Sequence, residues 1–532
     1  MMSLMTGASN LAALDFDEVA AEARKKQIVR AIKPVAGMEV LPPRVGPPRK
    51  VLLVVPPGTV EEHIGRLSGA AGELPMLGLA FIAAALRDQG HEVRIIDYEV
   101  NGWPMSQVEK DLREYRPDLV GMTAYITNMR RCGTVAGVVK RVDPTCTVIL
   151  GGPQVTIFPE EAFHCPDVDM IALSEGEIII RNVMNALRDE YALAKVKGIW
   201  YRHSSGEVKK NPRESLVDNL DIFPAPALDL FDMNKYFPPV YIRGKRIAHM
   251  LTSRGCPFQC TFCETKLTFG RSFRYHSTER VIDDLAKLIE QGYDGFQIYD
   301  DIFTANKPRV EELCQAIIDK GWKIHWMCYT RTNTVSPRIL KLMRDAGCYM
   351  ISYGVESADD ELLDIIKKNV SVDAQIKGIQ MTKNAGIQVT ATFMLGLPKE
   401  TREQSEKTLR FALETGIDYA IFGLTEPYPG TELWVDAQKY GFFDESGKYS
   451  NNLLSEHAAV WVPHGRTRDE LKNFIEKCMW KFYFRPKSIT LMASNLLKMP
   501  LSRWLRFFSA GFVFFILGRL RQSQAAHQTS RN

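Results

Sequence analysis

Cys256, Cys260 and Cys263 stand in the run Thr-Ser-Arg-Gly-Cys256-Pro-Phe-Gln-Cys260-Thr-Phe-Cys263, a Cys-x3-Cys-x2-Cys triplet just past a short apolar stretch. Iron–sulfur clusters are held by cysteine thiolates, and three so close together can hold one. On a four-iron cluster, three protein ligands leave one iron open to an outside ligand. Zinc is the competing chemistry. It asks for a fourth Cys or His, and His276, thirteen residues beyond Cys263, is the candidate. A disulfide is not expected, because the triplet is odd and nothing marks the chain as secreted.

Something must hold these residues in place. At 532 residues the chain calls for two or three domains. A 45% hydrophobic, 24% charged composition is globular and supplies an ample core, so no disulfide staples are needed. The ten cysteines lack paired spacing, and Met1–Asn10 has no basic region leading into an apolar core. Both point to a cytoplasmic protein. Residues 1–48 read as an extension, with a charged helix at Phe16–Ile32 and a proline-rich linker at Leu41–Pro48.

From Lys50, short apolar runs alternate with helical spacing: Val51–Val55, a helix over Leu77–Gln89 stopped by Gly90, then Val93–Asp97, Leu119–Ala124, Val148–Leu150 and Met170–Leu173. This alternation predicts an α/β, doubly wound, Rossmann-like domain over residues 49–190. Such sheets bind ligands at the carboxyl ends of their strands. Those ends carry Thr123, Gly151-Gly152-Pro153 and Ser174-Glu175. Paired glycines allow close backbone approach to a bulky ligand. Residues 191–245, irregular and proline-rich, read as a linker.

A second alternation fills residues 246–465. Six strand-like segments begin at His249, Gly295, Lys323, Tyr349, Gln388 and Tyr419, with helical stretches between them. They predict a partial (β/α)6 barrel with function on the loops after its strands. The cysteine triplet follows the first strand. Later strand ends carry Tyr299-Asp300-Asp301, Thr330-Arg331, Gly354-Val-Glu356-Ser357, Gly396-Leu-Pro398 and Glu426-Pro-Tyr-Pro-Gly430-Thr431.

Five such motifs in order behind the triplet resemble the cobalamin-binding-domain radical S-adenosylmethionine (SAM) superfamily. Its members include class B radical SAM methyltransferases and the anaerobic magnesium-protoporphyrin monomethyl ester cyclase. The resemblance covers roughly residues 50–440. It implies a 4Fe-4S cluster on Cys256, Cys260 and Cys263, and SAM chelated to the open iron and cleaved to a 5′-deoxyadenosyl radical. It places Phe262 beside cluster and adenine, Asp301 at the SAM amino group, Arg331 at its carboxylate, Glu356 near the ribose and Gly396 near the adenine. Strand-end position in the first sheet makes Thr123, Gly152, Pro153 and Glu175 the candidate cobalamin contacts, and the resemblance implies an electron donor such as flavodoxin or ferredoxin. The expected reaction is methylation of an unactivated carbon of a small-molecule or lipid-like substrate. A radical cyclase or rearrangement enzyme, and a zinc-containing ligand sensor with a degenerate SAM site, stay open as alternatives.

The chain departs from the family in lacking an Asp-x-His-x-x-Gly cobalt-ligand motif. Glu61-Glu62-His63-Ile-Gly65 is the nearest run and has the wrong spacing. Residues 466–532 read as a basic helical region. Over 471–532, eleven Lys/Arg face one Glu, a net +10 that leaves −6 for the other 470 residues. Within it, Phe507–Gly518 is a mostly apolar run of twelve. As a helix it spans about 18 Å, short of the ~30 Å hydrocarbon layer. Basic ends suit peripheral contact with the inner face of a membrane, with packing on the barrel as the alternative. Nucleic acid is not expected, because the basic residues are mixed with aliphatic bulk.

Overall fold

The computed structural model describes residues 40–58, 74–239, 241–443 and 461–496. The expected helix Phe16–Ile32, the segment around His63 and the apolar run Phe507–Gly518 lie outside the described residues.

Seven strands form the first sheet: β1 (Lys50–Val55), β2 (Glu92–Asp97), β3 (Leu119–Thr123), β4 (Thr147–Gly151), β5 (Met170–Ala172), β6 (Ile199–Arg202) and β7 (Val208–Lys210). Their order is β2-β1-β3-β4-β5-β6-β7. β1 to β5 pair in parallel, and β6 and β7 add antiparallel. β1 is an interior strand, paired on both sides, and five of its six residues are buried. That is why it reads as an unbroken apolar run rather than an alternating one. The helix Leu77–Asp88 ends where expected, at Gly90 with φ +82°. The strand order reverses between β1 and β3, which in doubly wound sheets opens a ligand crevice.

The expected linker needs correction. Ile199–Arg202 and Val208–Lys210 are sheet strands, although prolines crowd the rest of that stretch. Trp200 and Tyr201 are β-formers, and Gly206 supplies the positive φ of the turn between the two strands.

The second sheet holds six parallel strands: β8 (Ile247–Met250), β11 (Gly295–Ile298), β12 (His325–Thr330), β13 (Cys348–Glu356), β14 (Gln388–Leu395) and β15 (Tyr419–Leu424). Two short strands, β9 (Ser253–Arg254) and β10 (Arg274–Tyr275), pair beside the cysteine segment. Side chains alternate along each strand. Phe296, Trp326, Ile351, Phe393 and Phe422 pack against the outer helices, so their neighbours in sequence face the barrel lumen. Cys314, Cys328 and Cys348 lie in that outer core as buried thiols.

The edge strand β15 is closed by the start of the basic region. Helix Arg468–Tyr483 buries Leu471, Ile475, Cys478 and Phe482 in the barrel core. The Tyr483 hydroxyl donates to Ala420 O (2.7 Å) and accepts from Ala420 N (3.3 Å). This satisfies backbone groups that an edge strand otherwise leaves open. No helix among the described residues is long and apolar enough to cross a membrane.

Candidate active site

Two aspartates anchor the cysteine segment. Asp300 is buried and accepts four hydrogen bonds, from Thr252 N and Oγ1 (both 2.6 Å) and from Ser253 N and Oγ (3.0 and 2.6 Å). Asp301 accepts from Gly255 N (3.0 Å) and Thr265 Oγ1 (3.1 Å), so it brackets the three cysteines from both sides. Its carboxylate is open to solvent yet sits deep among protein atoms. Burial raises its pKa, and the two hydrogen bonds oppose the rise. Gly255 makes the turn. Its φ is +85°, and a Cβ there would stand 2.2 Å from Ser272 O. Only glycine fits.

The other expected SAM residues converge through one that sequence reasoning missed, Lys368. Arg331 leaves β12, lies 3.9 Å over the Phe258 ring and points Nη1 at Cys260 Sγ (3.5 Å). Its Nη2 donates to the Lys368 carbonyl. Lys368 Nζ pairs with Glu356 Oε1 at 2.9 Å and stands 5.9 Å from the Phe262 ring centroid. Glu356 ends β13 with φ +64°, at an irregularity in its register with β14. A non-glycine residue held there is strained, and such strain gathers at functional sites. Gly354 makes room: a Cβ on it would lie 2.5 Å from Glu356 Oε1. Cys260, Phe262, Arg331 and Glu356 thus form one connected assembly. Gly396, with φ +75°, backs instead onto Leu471 and Pro463 beyond the end of β14.

The ends of the first sheet face this assembly. Gly152 has φ +97°, and a Cβ there would meet Ala124 O and Thr123 Cγ2, each at 2.8 Å. Gly152 therefore lets the β4 loop press onto the β3 loop, and Thr123 and Gly152 support the face from behind. Pro153 lines a cavity of about 120 Å³ between the domains, walled by Tyr125, Thr127 and Gln154 on one side and by Glu264, Tyr428 and Pro429 on the other. Glu264 directly follows Cys263. Burial raises the pKa of Glu264, and burial with the nearby Glu264 raises that of Tyr125. Glu426, bonded to Tyr428, is pushed up to about 8 by burial. The Glu426 motif was legible as a strand end. Tyr125 and Glu264 carry no local sequence signal.

Glu175 has a different role from the cofactor contact expected of it. Its carboxylate takes Arg254 Nη1 (3.0 Å) and Arg274 Nη2 (2.8 Å), while Arg254 Nη2 reaches Glu177 (2.6 Å). All four side chains are buried. Burial acts to raise the Glu175 pKa, but the two guanidiniums outweigh it and hold the carboxyl low. Arg254 lies two residues before Cys256. The network therefore locks the cysteine segment to the first domain. Ser174 Oγ (donating to Thr268 O, 2.7 Å) and Arg213 Nη1 (donating to Leu267 O, 3.4 Å) reinforce the contact.

The donor set suits a cluster better than a single ion. The three thiols lie close enough to repel as thiolates. Burial, with contributions from Cys263, Asp301 and Cys260, pushes Cys256 up to about 11. A positively charged body among them reverses that balance. Arg331 already offers positive charge to Cys260. A structural zinc site wants four ligands about 2.0–2.3 Å from one centre, one more than the triplet supplies. His276, the candidate fourth ligand, pairs with Asp221 through Nδ1 (2.9 Å), which leaves Nε2 unengaged by that bond. For cobalamin, the crevice at the sheet's reversal and the interdomain cavity provide an open, mixed polar and apolar face. No histidine among the described residues lines that cavity.

Comparison with known proteins agrees. Residues 250–412 match the Radical SAM superfamily, and residues 66–184 match the B12 binding domain. The chain is 35% identical over 449 residues to the uncharacterized methyltransferase PH0819 of Pyrococcus horikoshii, covering 82% of this chain and 93% of that one. It is 30% identical to the anaerobic magnesium-protoporphyrin IX monomethyl ester cyclase of Rubrivivax gelatinosus, over 70% of this chain and 69% of that one. With the hopanoid C-3 methylase of Methylococcus capsulatus it shares 28% identity, over 70% and 71%. In fold it is similar to the radical SAM methyltransferase TsrM of Kitasatospora setae with cobalamin and a [4Fe-4S] cluster bound, at TM-score 0.63 and 16% identity, covering 82% of this chain and 89% of that one. The cysteine segment, the strand-end assembly and the facing first domain place this chain in the cobalamin-dependent radical SAM enzyme family, to which it belongs.

Proposed function

We propose that this enzyme transfers a methyl group to an unactivated carbon of a small-molecule or lipid-like substrate. The observation that carries this reading is the cavity walled by both domains, with Glu264 carrying it directly to the cysteine triplet. When bound, the cluster, SAM and cobalamin supply one-electron cleavage of SAM and a transferable methyl group. Cys256, Cys260 and Cys263 would hold the cluster. Asp301 and the Arg331–Lys368–Glu356 assembly would hold SAM over it. Asp301 offers a carboxylate for an ammonium, and Arg331 a guanidinium for a carboxylate. Pro153 would lie on the cobalamin face with Thr123 and Gly152 supporting it from behind, and the buried Arg254–Glu175 lock keeps the two faces at a fixed separation.

The similarity to PH0819 and to the hopanoid C-3 methylase, named as methyltransferase and methylase, supports methyl transfer over cyclisation. The test is anaerobic reconstitution with SAM, hydroxocobalamin and a reductant, followed by mass analysis of candidate substrates. The expected result is a product heavier by one CH2, with S-adenosylhomocysteine and 5′-deoxyadenosine formed alongside it. A product of unchanged carbon count would establish cyclisation or rearrangement instead.

The five arginines of residues 499–532 support peripheral contact with an anionic membrane, where a lipid-like substrate would reside; Lys477, Arg485 and Lys487 are engaged on the barrel. The full chain should sediment with anionic vesicles, and a chain ending at Lys498 should not. Equal behaviour of the two removes the tail from that role.

A further inference from the structure

Among the described residues, one buried cation at the site has no acid to answer it. Arg331 is 6% exposed. Its Nε donates to Asn333 Oδ1 (3.4 Å), its Nη2 to the Lys368 carbonyl and its Nη1 to Cys260 Sγ (3.5 Å). The guanidinium also lies 3.9 Å over the Phe258 ring, which belongs to the cysteine run itself. None of these partners is a carboxylate.

Neighbouring cations are matched differently. Lys368 Nζ pairs with Glu356 Oε1 at 2.9 Å. Lys266 and Lys367 share Glu432. Arg254 is held between Glu175 and Glu177. A buried charge without an opposite partner is costly, so one that persists calls for a partner of another kind. The group of negative charge that Arg331 addresses is the Cys260 sulfur, a thiolate whenever it binds iron.

Reduction of the cluster makes this contact matter. One electron enters from a low-potential donor of the flavodoxin or ferredoxin kind, the cluster gains one negative charge, and no bond or proton is exchanged. A fixed positive charge beside a ligating sulfur stabilises the reduced form more than the oxidised form. Net charge, hydrogen bonds to the sulfurs and solvent exposure are what set such potentials. Burial leaves the guanidinium weakly screened, so its effect is strong. Three hydrogen bonds and one ring face already pin Arg331, so it needs no reorganisation when the electron arrives.

We infer that Arg331 raises the reduction potential of the cluster through its contact with Cys260, and so brings the cluster within reach of the donor before SAM is bound. Arg331 acts here through Cys260 and is a positioning residue for the electron. The inference rests on Cys260 as a cluster ligand. It is a role separate from the pairing with the SAM carboxylate proposed above. Asn333 and the Lys368 carbonyl hold the Nε and Nη2 positions of the planar fork, which fixes the direction of Nη1 toward the thiol.

The test needs no turnover. The anaerobically reconstituted full chain is titrated potentiometrically before SAM is added, with EPR of the reduced cluster as the readout and iron content as the control. Arg331→Gln keeps a hydrogen-bond donor and loses the charge. Its reduced-to-oxidised ratio at a fixed potential should fall about tenfold to a hundredfold, the scale of losing a supporting partner beside a metal site. For a one-electron couple that is a downward shift of about 60–120 mV. Arg331→Lys, which keeps the charge, should stay closer to wild type than Arg331→Gln does. Asn333→Asp is the second variant. Asn333 is exposed, so the fold should tolerate the change, and the new carboxylate gives Arg331 the acid it lacks. It should lower the potential in the same direction by a smaller step. A merely structural Arg331 would lose iron in Arg331→Gln, leave the potential of the remaining clusters unmoved and ignore Asn333→Asp. An unchanged or raised potential in Asn333→Asp, or in the clusters that Arg331→Gln retains, overturns the inference. Failure of Cys260 as a ligand is read separately, from the iron content of Cys260→Ala.

Discussion

Cys260→Ala should yield a folded protein with little iron, little of the broad iron–sulfur absorption and no measurable SAM cleavage. Cys260 is the buried member of the triplet and the one the Arg331 guanidinium addresses at 3.5 Å. Its removal costs a ligand and leaves Arg331 facing an alanine. Loss of a supporting residue around a metal site typically costs 10–100-fold, and loss of a ligand should cost at least about 100-fold. Iron and sulfide analysis with 5′-deoxyadenosine quantification reads the result. Wild-type cleavage of SAM by this variant would remove the cluster assignment. Folding should survive, because the backbone of this segment is held by Asp300, Asp301 and the bond from Thr261 N to Ile366 O (3.0 Å), none of which involves the thiol.

Glu175→Ala should be the most destabilising single substitution between the domains. It strips the shared carboxylate from Arg254 and Arg274 and leaves two guanidiniums buried with one remaining acid, Glu177. Breaking a buried pair by removing one partner costs about 3–5 kcal/mol, because the other charge stays dehydrated. Arg254 is further confined between the Phe81 and Phe223 rings, at 5.0 and 5.1 Å, and has no route to solvent. The variant should show a lower Tm and reduced iron retention, because Arg254 leads directly into Gly255 and Cys256. Glu175→Gln, which keeps hydrogen-bonding atoms and loses the charge, should fall between. A Tm equal to wild type in Glu175→Ala would show that the network contributes nothing to joining the domains.

That network also shows why strand-end position alone misassigned Glu175. Strand-end position says where ligands bind in a doubly wound sheet, and Thr123, Gly152 and Pro153 lie at those ends. Glu175 occupies the same topological place, yet its partners lie roughly 80 and 100 residues downstream. No local pattern announces them. The same holds for Lys368, which joins Arg331, Glu356 and Phe262 from a segment with no motif, and for β6, which adds antiparallel to β5 and carries β7 with it as a hairpin.

Sequence by itself determined the chemistry and the architecture. Thiolate spacing is a local property of twelve residues, and strand–helix alternation is a local property of apolar periodicity, so both survive without coordinates. The strand-end motifs likewise keep their order along the chain, so Asp301, Arg331 and Glu356 are legible as strand-end residues before any contact is known. Tertiary structure alone decided which of these residues meet and which charges are spent on structure. Asp300 and Asp301 are adjacent in sequence and divide the work: one is saturated by four buried donors, the other is left open beside the cysteines. It also decided that Arg331, 71 residues beyond Cys260, stands against its thiol. Hydrogen bonds and ion pairs act over a few ångströms of space, whatever the distance along the chain, so only the folded barrel brings these groups within reach.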